Sequence, residues 1–192
     1  MKKLLALLLA LTLCASAALA EEGVFDYTVF EGNEEIDLEI DRFGDEWMVS
    51  TSLLSTFDEV PLLLGVLGTL DGGISMIALA SDQRCEEVKV QVDDAMYTFD
   101  TSLQAMLESS GLALILTPET EPFFRALVTA EEVNVRVTLD GEENGTDITG
   151  SDLEKMQLVL AELFAQDVMN CYTEDGEAMW DAAGLIQTMT VD

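Results

Sequence analysis

Apolar and polar residues alternate with period two along much of this chain, the pattern of strands with one buried face. Phe25, Tyr27 and Val29 alternate with polar neighbours, as do Ile36, Leu38 and Ile40. Phe43-Gly44-Asp45 supplies a turn before Trp47, Val49 and Thr51, so the first part predicts an antiparallel meander with one wet face. Residues 60–70 are apolar but carry Gly65 and Gly68. They are too short to span a bilayer and predict a short buried helix, with a membrane-touching or partner-binding patch as the alternative.

Residues 74–80 form a continuous apolar run, as a strand covered on both faces would. Val88, Val90 and Val92 lead through Asp93-Asp94 to Tyr97 and Phe99, a hairpin signal. Thr101 with Gln104 forms a capping box for a short helix over Leu103, Met106 and Leu107, and residues 112–116 read as another buried strand. Thr117-Pro118 predicts the start of a helix carrying Phe123, Phe124 and Leu127. Val133, Val135, Val137 and Leu139 form a further strand ending at Asp140-Gly141. Ser151 and Glu154 match a capping box, with Leu153, Met156, Leu160, Leu163 and Phe164 at helical spacing behind it. A last helix covers residues 178–186, including Trp180 and interrupted by Gly184. The sum is an α+β fold, a mainly antiparallel sheet of meander and hairpins with packed helices. Strands and helices do not alternate regularly enough for a doubly wound parallel sheet.

Residues 1–20 have a different pattern. Lys2 and Lys3 precede an apolar stretch at 4–13, and Ala18-Leu19-Ala20 places small residues before Glu21. This is a cleavable export signal, too short for an anchor, and it leaves 21–192 as a single secreted α+β domain. Cys14 after Leu11-Thr12-Leu13 resembles a lipid-attachment motif, but Leu13 stands where a small residue is wanted, so cleavage after Ala20 is preferred. The signal looks bacterial.

The chain has 38 acidic and 8 basic residues, a formal net charge of −30, and removal of the signal takes away two of the basic ones. Such charge accompanies disorder only where hydrophobicity is low, and here 49% of residues are hydrophobic, so the domain folds. Nucleic acid and anionic lipid are repelled. An unidentified protein or a cationic surface is the expected partner, without stable membrane insertion, and self-repulsion favours a monomer. Histidine is absent, which removes Ser-His-Asp and Cys-His catalysis and nearly every catalytic zinc site.

Beyond the signal the cysteines are Cys85 and Cys171, an even pair expected to form one disulfide in an oxidising compartment, with two buried thiols as the alternative. The segment from Asp140 to Asp147 offers Asp140, Glu142, Asn144 and Asp147 as weak metal candidates. Glu142 sits at the third position of a calcium loop and Ser151 at the twelfth, where a bidentate Glu is required, so an EF-hand is disfavoured. An acidic turn before a helix is the simpler reading, and Asn144-Gly145-Thr146, although a glycosylation sequon, reads the same way. Trp47 and Trp180 are expected as core anchors in preference to sugar-stacking platforms. Paired carboxylates could cleave glycosidic bonds without histidine, but no Asp or Glu stands alone in an apolar setting. No catalytic residue and no cofactor is assigned.

The succession Val88-Lys89-Val90-Gln91-Val92-Asp93-Asp94, Tyr97-Thr98-Phe99, Val133-Asn134-Val135-Arg136-Val137 and Thr149-Gly150-Ser151-Asp152-Leu153 resembles small uncharacterised exported bacterial domains. The resemblance covers roughly the middle half of the chain and transfers no site residue. It implies a non-enzymatic exported domain and no more. Taken with charge and export, the expected function is that of an exported, acidic, non-catalytic protein acting by binding or as an envelope or extracellular interaction component. A Ca²⁺-linked adhesin or matrix module and a carboxylate-based hydrolase are the alternatives.

Overall fold

A computed structural model of the chain describes residues 23–51, 62–81, 84–103, 111–139 and 141–192. The export signal with Cys14, most of the helix expected after Thr101, and Asp140 lie outside the described residues. In chain order the strands are β1 (Ile36–Asp41), β2 (Glu46–Thr51), β3 (Leu63–Thr69), β4 (Ile74–Ser81), β5 (Glu87–Val92), β6 (Ala95–Asp100), β7 (Leu112–Ile115), β8 (Val133–Leu139), β9 (Glu142–Ile148) and β10 (Thr188–Val191). The helices are α1 (Glu121–Thr129), α2 (Gly150–Ala165) and α3 (Glu174–Ile186). The fold is α+β, with the strands divided between two antiparallel sheets ordered β1-β2-β3-β4-β7 and β10-β6-β5-β8-β9.

The period-two segments of the second sheet form strands because each has a row of apolar side chains to bury. In the second sheet Val88 and Val90 lie between Phe99 and Tyr97 on β6 and Val137 and Val135 on β8. This face packs on α1, where Phe123 meets Tyr97 and Phe99 with ring centroids 5.2 and 4.9 Å apart. Each such ring pair adds about 0.5–1.5 kcal/mol beyond the area it buries. In the first sheet Trp47, Val49, Leu64, Val66 and Ile77 are buried, and Phe25 stacks on Trp47 at 5.6 Å. A single apolar core joins both sheets with α1 and α2.

Four local expectations are corrected. Residues 63–69 are strand β3, not a helix: the run is buried at Leu64, Val66 and Gly68, in strand alternation. An added Cβ at Gly68 would lie 2.4 Å from the Trp47 ring, so glycine here permits close approach within a sheet. The alternation at Phe25, Tyr27 and Val29 does not make a strand. Asp26 accepts the Thr28 N–H and opens a 3₁₀ turn over Tyr27–Phe30, which lets Phe25 and Tyr27 stack on Trp47 and Phe30 on Phe25. α1 begins at Glu121 with Pro122 in its first turn, three residues beyond Pro118, because Thr117 and Thr120 first form a hydroxyl-bonded turn. α2 is preceded by Thr149 with no side-chain cap, so Ser151 and Glu154 do not form the expected box.

α3 packs on the opposite, outer face of the first sheet, with Ala183 buried against Ala78 and Ile115. An added Cβ at Gly176 would lie 2.6 Å from the Ile74 carbonyl oxygen, so glycine there lets α3 approach β4.

Candidate functional site

The acidic segment expected as a loop is an edge strand. Glu142, Asn144 and Asp147 all lie on β9, opposite Leu139, Val137 and Asn134 of β8. Strand side chains alternate between faces, so Asp147 points away from the face shared by Glu142 and Asn144. The loop and turn readings of this segment are therefore corrected. Asn144-Gly145 lies inside a ladder, and hydrogen bonding to β8 holds the backbone extended. Among the described residues no group of three or more cysteine, aspartate or glutamate side chains is gathered to hold a metal.

The expected disulfide is not formed. Cys85 and Cys171 are both buried and are not bonded to each other. The Ile74 N–H donates to the Cys171 carbonyl at 2.7 Å, which fixes Cys171 at the start of β4, while Cys85 follows the other end of that eight-residue strand. The Cys171 thiol turns back to its own chain, donating weakly to the carbonyls of Gln166 and Asp167 at 3.7 and 3.8 Å. Burial pushes the Cys85 thiol up to about 11. Burial, then the nearby Asp167 carboxylate, raises Cys171 as well. Both shifts disfavour the thiolate, the form that acts as a nucleophile.

A depression of about 590 Å³ lies on the solvent face of the second sheet around Asn134, Arg136, Glu143, Gly145 and Asp147. Its Arg136, and Lys89 beside it on β5, are engaged. Arg136 Nη1 lies 3.1 Å from Glu143 Oε1, and Lys89 Nζ lies 2.7 Å from Glu87 Oε1 and 3.9 Å from Glu143 Oε2. Gly145 stands opposite Arg136, so no side chain on β9 obstructs the guanidinium stem. This is an ion-paired polar face, and its carboxylates disfavour anions.

Other shifted carboxylates explain turns or burial. Hydrogen bonds from the Thr69 hydroxyl and the Gly73 N–H lower Asp71, and those from Ser102 lower Asp100. Burial raises Glu162 on α2 above its ordinary value. Among the described residues it does not line the depression around Asn134 and Arg136. Trp47 is buried, its indole N–H donating to the Thr69 carbonyl at 2.9 Å. Trp180 packs edge-on against Tyr172 at 4.6 Å. No helix among the described residues is long and apolar enough to cross a membrane.

Sequence reasoning missed three glutamines that act through their amides. Gln166 receives the Asp26 N–H at 2.8 Å and donates to the Asp26 carbonyl at 3.3 Å. Gln187 grips Ile115 in the same way. Gln157 donates to the Leu127 and Ala130 carbonyls, closing the end of α1. Only Gln157, between Met156 and Leu158, offered the signal of a lone polar residue in apolar surroundings. Comparison with known proteins adds no partner: no protein family, curated protein or solved structure matches the chain.

Proposed function

We propose that the protein is an exported, acidic, non-catalytic component that acts by binding a cationic protein surface outside the cytoplasm. The observation that carries this reading is the imbalance of surface charge. The chain holds 38 acidic residues, and the ion pairs among the described residues engage the carboxylates of Glu87, Glu143, Glu121 and Asp152. The remaining field attracts cations collectively and repels nucleic acid and anionic lipid. Export rests on residues 1–20, and intact mass of the secreted form should begin at Glu21.

Incubation of the purified protein with glycan and peptide substrate panels tests the non-catalytic half. No turnover is expected. Reproducible turnover that disappears when one carboxylate, Glu162 first, is replaced by its amide with folding intact would overturn it.

A further inference from the structure

Among the described residues, α3 packs on the β4–β7 end of the outer face of the first sheet. The pairing register sets Glu39, Met48, Leu67 and Met76 in one row across the strands, and Asp37, Ser50, Gly65 and Ala78 in the next. Ala183 of α3 buries the β4–β7 end of these rows. At the other end Met48 is 41% exposed, with Leu67 partly exposed beside it. Gly184 lines a depression with Thr117, Thr120 and Met189, so its flank of α3 faces β7 and β10. Met179, five residues earlier, falls on the opposite flank, toward the open strands, and is 39% exposed.

The border of this strip is acidic. Asp37 and Glu39 project from β1 on the same face, and Glu46 from β2 beside them, all exposed. None of the three takes part in an ion pair among the described residues.

The geometry points to a docking groove for a basic, amphipathic segment of a partner protein. An apolar ridge would lie on Met48, Leu67 and Met179, and lysines or arginines would meet Asp37, Glu39 and Glu46. Charge complementarity selects this occupant: a second copy would set acidic border against acidic border, between chains that each carry −30. Methionine suits the role because its unbranched thioether repacks around different apolar side chains. The inference rests on the reading of the protein as a binder of cationic surfaces, and adds where binding occurs and what apolar chemistry accompanies the charge.

Two synthetic peptides of equal length and charge test it in 150 mM NaCl. One has leucines along a single helical face among lysines; the other replaces those leucines with serine. Fluorescence anisotropy should give at least tenfold tighter binding of the leucine peptide. Met48→Lys and Met179→Lys should each remove most of that advantage, while Leu158→Lys, on the exposed side of α2, should keep it. Methyl-¹³C methionine spectra of the unaltered protein supply a second readout: Met48 and Met179 signals should move on peptide addition and buried Met156 should not. Equal binding of both peptides would remove the groove and leave the acidic-surface reading standing. Binding of neither would remove both. Equally tight binding of an acidic leucine peptide, or a dimer broken by Met48→Lys, would overturn the choice of occupant.

Discussion

The side-chain amide of Gln187 closes on the peptide of Ile115, receiving its N–H at 3.4 Å and donating to its carbonyl at 3.3 Å. Ile115 ends β7, the edge of the first sheet, and Gln187 joins α3 to β10, the edge of the second. One buried glutamine thus stands in for a neighbouring strand and couples the two sheet edges. The Ile115 carbonyl also accepts from the Thr120 hydroxyl at 2.8 Å, so loss of the amide orphans chiefly the N–H. Gln187→Leu should destabilise by about 1–3 kcal/mol, the cost of an unsatisfied buried donor. Urea unfolding checks this, and an unchanged midpoint would deny Gln187 the role.

Two glycine substitutions should act with opposite signs. A Cβ at Gly68 would meet both the Trp47 ring and the Gly73 carbonyl, at 2.4 and 2.6 Å. Gly68→Ala should therefore cost about 1–3 kcal/mol through forced displacement. At Gly184, within α3, a Cβ meets nothing within 4 Å. Gly184→Ala should stabilise by about 0.5–1 kcal/mol, since alanine loses less backbone entropy in a helix. Paired thermal melts read both signs.

The buried thiols give stability an alkaline dependence. The Cys85 value rises from 9.0 to about 11 on folding, so between those values the unfolded chain has lost a proton that the folded chain retains. Stability from this group is intact below pH 9 and falls as pH climbs toward 11. Urea midpoints of Cys85→Ala should fall less steeply over that window than those of the unaltered protein. Peptide mapping under non-reducing conditions should find no linked Cys85–Cys171 pair.

Calcium should have little effect. β9 directs Asp147 and Glu142 to opposite faces, Glu143 on the Asp147 face is ion-paired with Arg136, and no three carboxylates gather among the described residues. Millimolar CaCl₂ should leave the melting temperature within about a degree of that in NaCl of equal ionic strength. A rise of several degrees would restore a calcium-linked module.

The parts of the fold that were legible had apolar side chains carrying the period. Val88, Val90, Val92, Val133, Val135 and Val137 announced their strands, and Asp93-Asp94 their hairpin, with Asp93 at φ 52°. β9 was illegible because an edge strand with one wet face buries little: Ile148 is buried, while Asn144 and Thr146 keep the rhythm with polar side chains. β3 was misread because an unbroken apolar run shows no period, and glycines that weaken a helix also allow close packing in a sheet. The division into two sheets depends on pairing between distant segments such as β6 and β10, which no local pattern encodes. The open strip at Met48 was equally hidden, since it is defined by where α3 stops covering the sheet.

Salt dependence of binding tests the central claim most directly. The account assigns recognition to a field of many exposed carboxylates, screened over about 8 Å at physiological ionic strength. Affinity for an oligolysine probe, measured from 20 to 500 mM NaCl, should fall steadily. Single Asp→Ala or Glu→Ala changes across the surface should each shift it by less than about threefold, the worth of one exposed ion pair. Affinity that does not vary with salt, or that collapses when one carboxylate is removed, would contradict the account.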